Sequence, residues 1–400
     1  MFKFPSILPV LAVALAISAC ISACTTPVSL KEPIKPVSPV TPPATPIPQA
    51  AVKPNVNFKA ASFADLPGWG ADNLTETWPV FMASCNAMRF KPEWKEACTI
   101  AKDIDVRDGD AMRVFFESLF TPYQVINSDG TSEGLITGYY EPLLRGSRTR
   151  TGPYQTPLYS TPSDLLTIDL GSVYPELKNM RLRGRLVGNR VVPYAARAET
   201  EQALAGKELL WVDDAVEAFF LQVQGSGRVY FPDTNETIRV AYADQNGYPY
   251  KSIGRYLVDK GELSLSQASA QGIKDWIKQN PTRQNELFNS NPSVVFFKEE
   301  KLADPRIGPK GAQGVPLTAQ RSIAVDAQFL PLGAPVFLAT TQPNSAQLLQ
   351  KLVVAQDTGG AIRGAVRADY FWGFGTEAGE QAGRMKQRGQ MWLLLPKSAS

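Results

Sequence analysis

The stretch VVAQDTGGAIRGAVRADYFWGFG, residues 353–375, carries the strongest signals for the fold and chemistry of this chain. It opens with an apolar run that predicts a buried strand, and a Gly-rich turn follows. It also holds two carboxylates, Asp357 and Asp369, and their surroundings differ. The question is which of the two matters for function.

Asp357-Thr358-Gly359 matches the active-site tripeptide of aspartic proteases. Pepsin-like enzymes need two such loops because two carboxylates share one proton, and this chain has a single copy. A retroviral-type protease, which uses one loop per subunit, has a far shorter chain. The alternative is a strand-ending turn in which Asp bonds to backbone amides and Gly permits positive φ. The sequence therefore disfavours a protease.

Asp369 has the surroundings expected of a general acid. It is followed directly by Tyr370, Phe371 and Trp372. A carboxyl pressed against aromatic rings is desolvated, which raises its pKa, and a protonated carboxyl can donate a proton at neutral pH. Such rings also suit stacking on sugars, so Tyr370 and Trp372 are candidate substrate-binding residues. The alternative is a surface Asp beside core aromatic residues.

The composition excludes several enzyme classes. None of the 400 residues is His, which rules out Ser-His-Asp and Cys-His triads and removes the commonest zinc ligand. Acid–base chemistry must then use carboxylates, Lys, Tyr or Cys. A net charge of +3, without dense Lys/Arg runs, gives no sign of nucleic-acid binding. With 44% hydrophobic residues, the chain can bury a core of two domains.

The N-terminus predicts a lipoprotein-type signal peptide over residues 1–19. Its apolar run is too short to be a stable membrane anchor. Ile-Ser-Ala-Cys occurs twice, ending at Cys20 and Cys24, and resembles a bacterial lipobox. Cys20 is favoured because it directly follows the apolar run; the alternative is ordinary cleavage after small residues. Residues 20–56 are rich in Pro and predict an extended, lipid-anchored linker.

The lipid anchor predicts where the protein resides. Lipid chains on either Cys would hold it at a membrane surface rather than across the membrane. Neither Cys is followed by Asp, a residue associated with retention in the inner membrane. The sequence therefore favours an outer-membrane lipoprotein that faces the periplasm of a Gram-negative bacterium.

The folded region opens with predicted helices over residues 74–88 and 92–102, and Asp108 is a candidate N-cap for a third helix. The first two helices carry Cys85 and Cys98. In an oxidising periplasm, this pair is a candidate disulfide between neighbouring helices.

After the third helix the chain is mainly β, in short segments separated by Gly and Pro turns. These segments are GLITGYYEPLL, GRLVGNRVVPY, FFLQVQGSGRVYF, ETIRVAYADQNG, NPSVVFFKE, PLTAQRSIAVD, GAPVFLATT, KLVVAQD and QMWLLLP. A helical interlude follows the fourth segment, and Ser264 and Ser266 are candidate caps for the helix in QASAQGIKDWIKQN. Short strands with few crossover helices favour barrels over a doubly wound sheet.

Six long motifs give the chain a specific resemblance. They are TGYYEP (137–142), LQVQGSGRV (221–229), YADQNGYPYKSIG (242–254), NPSVVFF (291–297), VPLTAQRSIAVD (315–326) and AQDTGGAIRGAVRADYFWGFGTEAGEQAG (355–383). In this order they resemble the membrane-bound lytic murein transglycosylase A family, whose members cleave the glycan strands of peptidoglycan. The resemblance covers about residues 60 to 396, and its C-terminal part resembles the three-aspartate region of the family.

The resemblance implies a fold that is mainly β with N-terminal helices. A double-psi β-barrel would comprise residues 57–141 plus 301–396, and a second, β-barrel-like domain, residues 142–300, would be inserted into it. The substrate groove would lie between the two domains.

The resemblance also implies the site. Asp369 would be the catalytic acid, and Asp326 and Asp357 would shape the site or raise the pKa of Asp369 by like-charge repulsion. The candidate substrate-binding residues near the domain boundary and on the facing wall are Thr137, Tyr139, Tyr140, Gln224, Gly225 and Ser226. For QVQGSGR, a β-hairpin turn is an equal alternative to ligand contact.

The implied reaction is non-hydrolytic cleavage of the β-1,4 bond between N-acetylmuramic acid and N-acetylglucosamine, which leaves 1,6-anhydromuramoyl ends. Asp369 would act first as acid and then as base, without metal or organic cofactor. The expected partners are glycan strands and the outer membrane, with cell-wall synthesis or divisome proteins as further candidates. The alternative function is a non-catalytic, peptidoglycan-binding outer-membrane lipoprotein.

Overall fold

The computed structural model of the chain describes residues 58–177, 180–302 and 304–397. The signal segment 1–19, both candidate lipidation sites (Cys20 and Cys24) and the linker 20–56 lie outside the described residues. Within the described part, no helix has the length and apolar character needed to cross a membrane.

The described residues form nine α-helices and six single 3₁₀ turns. The helices are α1 (Leu74–Ala87), α2 (Pro92–Ile100), α3 (Gly109–Leu119), α4 (Thr200–Ala203), α5 (Ala215–Gln224), α6 (Ile253–Asp259), α7 (Ala270–Gln279), α8 (Gln284–Asn289) and α9 (Gly375–Arg384). The 3₁₀ turns are Phe63–Asp65, Trp69–Ala71, Ala101–Asp103, Pro175–Leu177, Arg197–Glu199 and Pro281–Arg283.

Seventeen strands in the same residues make the fold mainly β, as predicted. The first nine are β1 (Phe58–Ala60), β2 (Phe120–Val125), β3 (Gly134–Glu141), β4 (Leu143–Ser147), β5 (Thr156–Tyr159), β6 (Leu166–Thr167), β7 (Arg183–Val187), β8 (Arg190–Val192) and β9 (Glu208–Val212). The others are β10 (Ser226–Phe231), β11 (Glu236–Gln245), β12 (Val295–Lys301), β13 (Ser322–Val325), β14 (Pro335–Thr341), β15 (Leu348–Asp357), β16 (Arg367–Phe374) and β17 (Lys386–Pro396).

Six strands close into a ring in the order β3, β17, β14, β15, β13 and β16, with β16 pairing back onto β3. β2 and β1 extend the same sheet beyond β17. The apolar run Leu352–Ala355 lies on β15, one of the strands of the ring, and is fully buried. A strand buried on both faces reads as a continuous hydrophobic run rather than an alternating one, which explains the sequence at this position.

The residues between β3 and β13 form two further sheets. One has the strand order β12, β11, β10, β4, β9 and β5, and a single bridge between Ser160 and Phe297 joins its two ends. The other is the small sheet β6–β7–β8. Helices α5 to α8 pack around a separate apolar cluster that includes the stacked rings of Phe219 and Phe288.

Local capping explains where several helices begin. The predicted cap Asp108 accepts a hydrogen bond from the amide of Ala111 at 2.8 Å, at the start of α3. The caps predicted for the later helix are wrong: α7 begins after Ser269, whose hydroxyl accepts from the amide of Gly272, and not after Ser264 or Ser266. The two latter side chains hydrogen-bond to each other in the preceding turn.

The segment FFLQVQGSGRVYF is not a single β segment. Its first half belongs to α5, which begins after Asp214, where the carboxylate caps the amides of Val216 and Glu217. The helix ends at Gly225, which has a φ of +85°. Glycine adopts this left-handed backbone without a steric penalty, so QVQGSGR is a helix-to-strand turn and not a hairpin.

Cys85 in α1 and Cys98 in α2 form a disulfide in the structure. Closing a loop of this size stabilises a protein by about 3 kcal/mol, chiefly by restricting the unfolded chain. We therefore expect reductant to lower the urea midpoint of the purified protein by an amount corresponding to about 3 kcal/mol. The control is the Cys85→Ala/Cys98→Ala variant, which should be insensitive to reductant. An identical midpoint for the native protein in both conditions would contradict the expectation.

Candidate active site

Asp369 lies on β16, between two strands of the ring. It is opposite Ala324 of β13 on one side and opposite Thr137 of β3 on the other. The hydroxyl of Thr137 donates a hydrogen bond of 2.5 Å to Oδ1 of Asp369. The guanidinium of Arg367 in turn donates to the hydroxyl oxygen of Thr137, at 2.9 Å. A carboxylate, a hydroxyl and a cation are thus linked across the β3–β16 pair.

The pKa of Asp369 is raised above that of an ordinary Asp, mainly because burial disfavours the charged form. The hydrogen bond from Thr137 and the charge of Arg367 act in the opposite direction, and the charge of Asp357 raises the pKa further. Part of Asp369 remains accessible. The arrangement therefore favours a carboxyl that holds a proton to a higher pH than usual and can still reach a ligand.

Asp357 ends β15 and is held by its neighbours. Its Oδ1 accepts from the amide of Ala312 at 2.9 Å, and its Oδ2 accepts from the hydroxyl of Tyr139 at 3.0 Å. Burial raises the pKa of this carboxyl as well. In a pepsin-type pair, the two carboxylates share one proton. Here both oxygens of Asp357 accept hydrogen bonds from other groups, so the tripeptide forms a hydrogen-bonded strand end.

Asp326 follows β13 and is almost fully buried. Its Oδ2 accepts from the amide of Gly364 at 2.9 Å, its Oδ1 accepts from the amide of Gln328 at 3.2 Å, and Arg363 lies 3.8 Å away. The contacts with Gly364 and Arg363 hold the loop that leads into β16. Asp326 thus supports the position of the strand that carries Asp369.

The prediction that Tyr370 and Trp372 contact substrate is wrong. Tyr370 and Trp372 are buried in the main core, on the face of β16 opposite to Asp369. The hydroxyl of Tyr370 donates to the carbonyl of Gln320, and the indole N–H of Trp372 contacts the sulfur of Met385. Side chains alternate between the faces of a strand, so neighbours in sequence do not surround Asp369.

The aromatic residue that shares a face of β16 with Asp369 is Phe371. Its ring packs against that of Tyr139, at a centroid distance of 5.1 Å. Tyr139 was predicted to contact substrate, but it is buried and its hydroxyl donates to Asp357. Burial, followed by the negative charges of Asp357 and Asp369, raises the pKa of Tyr139. Both rings therefore form an apolar surface that shields the carboxyl groups of Asp357 and Asp369 from water.

A cavity of about 1,020 Å³ lies between β3, α5, α7 and α9, and Thr137, Tyr140 and Gln224 are among its lining residues. The side chain of Gln224 accepts from the amide of Tyr140 at 3.1 Å, which ties α5 to β3. Gly225 and Ser226, also predicted contact residues, are not part of this lining. They end α5 and begin β10, respectively.

The cavity wall also contains residues that sequence reasoning missed. Glu217 and Lys274 form an ion pair across it, and Arg384 and Lys386 line it near α9. Arg367 was missed too, although its sequence position gives a signal, because residues two apart on a strand share a face. No group of three or more Cys, Asp or Glu in the described ranges could hold a metal ion.

The chain is similar to known proteins over most of its length. The chain is 32% identical, over 278 residues, to membrane-bound lytic murein transglycosylase A of Escherichia coli K12, and the match covers 68% of each protein. The chain belongs to the lytic murein transglycosylase A family. Two regions match domain families: the MltA specific insert domain matches residues 135–298, and the 3D domain matches residues 321–395.

Solved structures of the lytic murein transglycosylase A family resemble this chain over most of its length. A crystal structure of MltA from Neisseria gonorrhoeae has a TM-score of 0.72 and 38% identity, covering 86% of this chain and 93% of that one. A crystal structure of E. coli MltA with bound chitohexaose has a TM-score of 0.64 and 27% identity, covering 85% and 94%. The fold described above is therefore the fold of this family.

Proposed function

We propose that this chain is a peptidoglycan lytic transglycosylase in which Asp369 is the only side chain that acts as acid and base. The observation that carries the proposal is the position of Asp369: a desolvated carboxyl of raised pKa, bonded to a residue that lines a large cavity. Membership of the family supports the substrate class, since its E. coli member is named a lytic murein transglycosylase.

In the first step, Asp369 donates its proton to the oxygen that joins C1 of N-acetylmuramic acid to C4 of N-acetylglucosamine. The C1–O bond breaks, the N-acetylglucosamine part leaves with a free 4-hydroxyl, and positive charge develops at C1. The carboxylate of Asp369 now lies close to this charge and stabilises it. Burial raises the pKa of Asp369, so this carboxyl keeps the proton needed for the first transfer to a higher pH than an ordinary Asp does.

In the second step, the C6 hydroxyl of the same muramic ring attacks C1, and its proton passes to Asp369. The products are a 1,6-anhydromuramoyl end and a regenerated acid, and no water is consumed. One carboxyl suffices because the nucleophile is part of the substrate, and its proximity replaces the second carboxylate that hydrolases use to position water.

We assign the glycan to the cavity between α5, α7, α9 and β3. Tyr140 and Gln224 would contact the sugar chain, and Thr137 marks the end of the cavity next to Asp369. The chitohexaose in E. coli MltA supports a site for a six-sugar chain in the family. The reaction needs no metal or organic cofactor.

For the architecture, we propose a double-psi β-barrel, residues 57–141 plus 301–396, with a β-barrel-like domain of residues 142–300 inserted into it. The closed six-stranded ring and the bridged second sheet support this division. The glycan groove would then lie between the two domains. The match to an insert domain, residues 135–298, is close to the proposed inserted part, and the match to a 3D domain, residues 321–395, lies within the C-terminal part of the proposed barrel.

The relatives are named as membrane-bound and come from Gram-negative bacteria, which supports a membrane-associated protein. We propose the finer statement that the chain is an outer-membrane lipoprotein facing the periplasm, acylated at Cys20 or Cys24. Cell-wall synthesis or divisome proteins remain candidate partners.

Digestion of intact sacculi tests the function. The purified protein is incubated with sacculi, and the soluble muropeptides are separated and weighed by mass spectrometry. We expect products with anhydro ends, which are lighter by one water than the corresponding reducing-end products. Reducing ends would identify a hydrolase, and release of no product at all would identify a non-catalytic peptidoglycan-binding protein.

A further inference from the structure

Arg367 is the one cation bonded to the residue that contacts the catalytic carboxyl, within the part of the chain that the structure describes. One guanidinium nitrogen donates to the hydroxyl oxygen of Thr137 at 2.9 Å. The other donates to the carbonyls of Ala368 and Leu135, at 2.6 and 3.3 Å. Three contacts on two neighbouring strands therefore fix the guanidinium, and one of its N–H groups points at Thr137.

These contacts set the direction of the hydrogen bond between Thr137 and Asp369. Arg has five N–H donors and no acceptor, so the oxygen of Thr137 must accept from it. The hydrogen of the hydroxyl is then repelled by the cation and directed to Oδ1 of Asp369. If the proton were on Oδ1, the oxygen of Thr137 would have to accept hydrogen bonds from both Asp369 and Arg367. Its own hydrogen would then have to point away from the carboxyl, although the cation favours the orientation toward it.

The other carboxyl oxygen is free for chemistry. Among the described residues, Oδ2 of Asp369 has no hydrogen-bond partner, and it does not belong to the unpaired side-chain atoms that are closed off from solvent. It is thus the oxygen that a ligand can reach.

We infer that Arg367 is a positioning residue that acts through Thr137 to keep the acid proton of Asp369 on Oδ2, the oxygen open to the glycan. This inference rests on the proposed function. In the acid step, the proton leaves from Oδ2 while Oδ1 keeps its bond from Thr137. In the base step, the proton of the C6 hydroxyl returns to Oδ2, so both transfers use one oxygen and the carboxyl need not rotate between them.

The same pair affects how readily Asp369 gives up its proton. Thr137 and Arg367 both favour the carboxylate, which lowers the pKa of Asp369 against the effect of burial. Other titratable groups around Asp369 include Asp357 at the end of β15 and Tyr139 on β3. Asp326 follows the paired strand β13, and Lys386 of β17 lies opposite Thr137. These four stay unchanged in the variants below.

The test uses four variants of the full chain: Arg367→Met, Thr137→Val, the double variant and the conservative Thr137→Ser. Rates on sacculi are measured across pH, with kcat and KM determined separately. We expect Arg367→Met and Thr137→Val each to lower kcat on the order of tenfold, with KM within about twofold, because alignment and not binding is lost. Thr137→Ser should retain kcat within about twofold, since it keeps the hydroxyl.

The pH dependence separates this role from mere support of the fold. Asp369 must be protonated to start the reaction, so the rate falls as pH rises through its pKa. Removing either donor raises this pKa, so the falling limb of the curve of rate against pH should move to higher pH in Arg367→Met and Thr137→Val. The double variant should lose no more activity than Thr137→Val alone, because Arg367 acts through Thr137. An unmoved limb, multiplicative losses or an effect confined to KM would each overturn the inference.

A second measurement covers the case in which Arg367→Met does not fold. The carboxyl carbon of Asp369 is followed by NMR titration of protein with ¹³C-labelled Asp, assigned with Asp369→Asn. A higher titration midpoint in Thr137→Val than in Thr137→Ser supports the inference, and equal midpoints overturn it. If the native protein releases no anhydro-ended product, the proposed function itself fails; if it does and the variants behave like the native protein, only the positioning role fails.

Discussion

Asp369→Asn is expected to abolish cleavage of peptidoglycan, with a loss of about 10³-fold or more in the rate of muropeptide release. Asn has nearly the same shape, and its amide oxygen can still accept from Thr137, as Oδ1 of Asp369 does. It cannot donate a proton to a leaving oxygen and take one back. The measurement is the amount of anhydro-ended product released from sacculi per unit time.

Two controls accompany this variant. Asp110→Asn removes one negative charge at an exposed position of α3 and should cut like the native protein. Binding of Asp369→Asn to chitohexaose, measured by calorimetry, should remain, which would separate loss of chemistry from loss of the site. Native-like cleavage by Asp369→Asn would remove Asp369 from the mechanism.

The same substitution should not lower the stability of the protein at neutral pH. Burial raises the pKa of Asp369 in the folded state, so folding is favoured most at low pH, and this contribution is lost as pH rises through the folded-state pKa. At neutral pH, Asp369→Asn removes a carboxyl that burial disfavours in its charged form. We therefore expect the thermal midpoint to be equal to or above that of the native protein there.

Glu141→Gln is expected to destabilise the fold by about 3 to 5 kcal/mol, without a direct role in chemistry. Glu141 is fully buried, and its two oxygens contact Arg228 at 2.8 Å and Arg239 at 2.5 Å. Arg228 also has a buried nitrogen without a partner. Removing the central negative charge leaves two buried cations without a counter-charge. The free-energy cost of these unpaired cations is larger than the net stabilisation that the intact ion pairs provide.

Urea unfolding measures this effect. The dependence of the unfolding free energy on urea concentration should have the same slope in both proteins, as expected for two-state behaviour. The matched control is Glu133→Gln, whose partner Arg388 lies 3.7 Å away with both side chains exposed; its free energy of unfolding should change by less than about 1 kcal/mol. At a temperature where Glu141→Gln is folded, it should still produce anhydro ends. A change as small as that of the control would contradict the importance assigned to this buried cluster.

Much of the fold could be predicted from the sequence where signals were strong and local. The apolar run before Asp357 is a buried strand, and Asp108 caps its helix. The segment before Gly225 was wrongly predicted as β because its Phe, Leu and Val alternate. The cap at Asp214 and the terminating Gly225 were the signals for a helix, and they outweigh the alternation.

The site could be predicted only in part, because proximity in the chain was taken for proximity in space. Tyr370 and Trp372 lie beside Asp369 in sequence, yet the alternation of a strand sends them into the core. Arg367 and Phe371 share the face of Asp369 at a spacing of two. The pairing with Thr137 depends on strand register across the whole fold, so local reasoning could not establish it.

The hydrogen bond between Thr137 and Asp369 joins residues 232 positions apart. Every strand and helix from β4 to β15 is synthesised between these two halves of the centre. A chain that is still emerging, or one truncated before β16, therefore contains β3, α5 and α7 of the cavity but lacks both α9 and the acid itself. The ability to cleave peptidoglycan thus arises only when synthesis of the chain has passed β16.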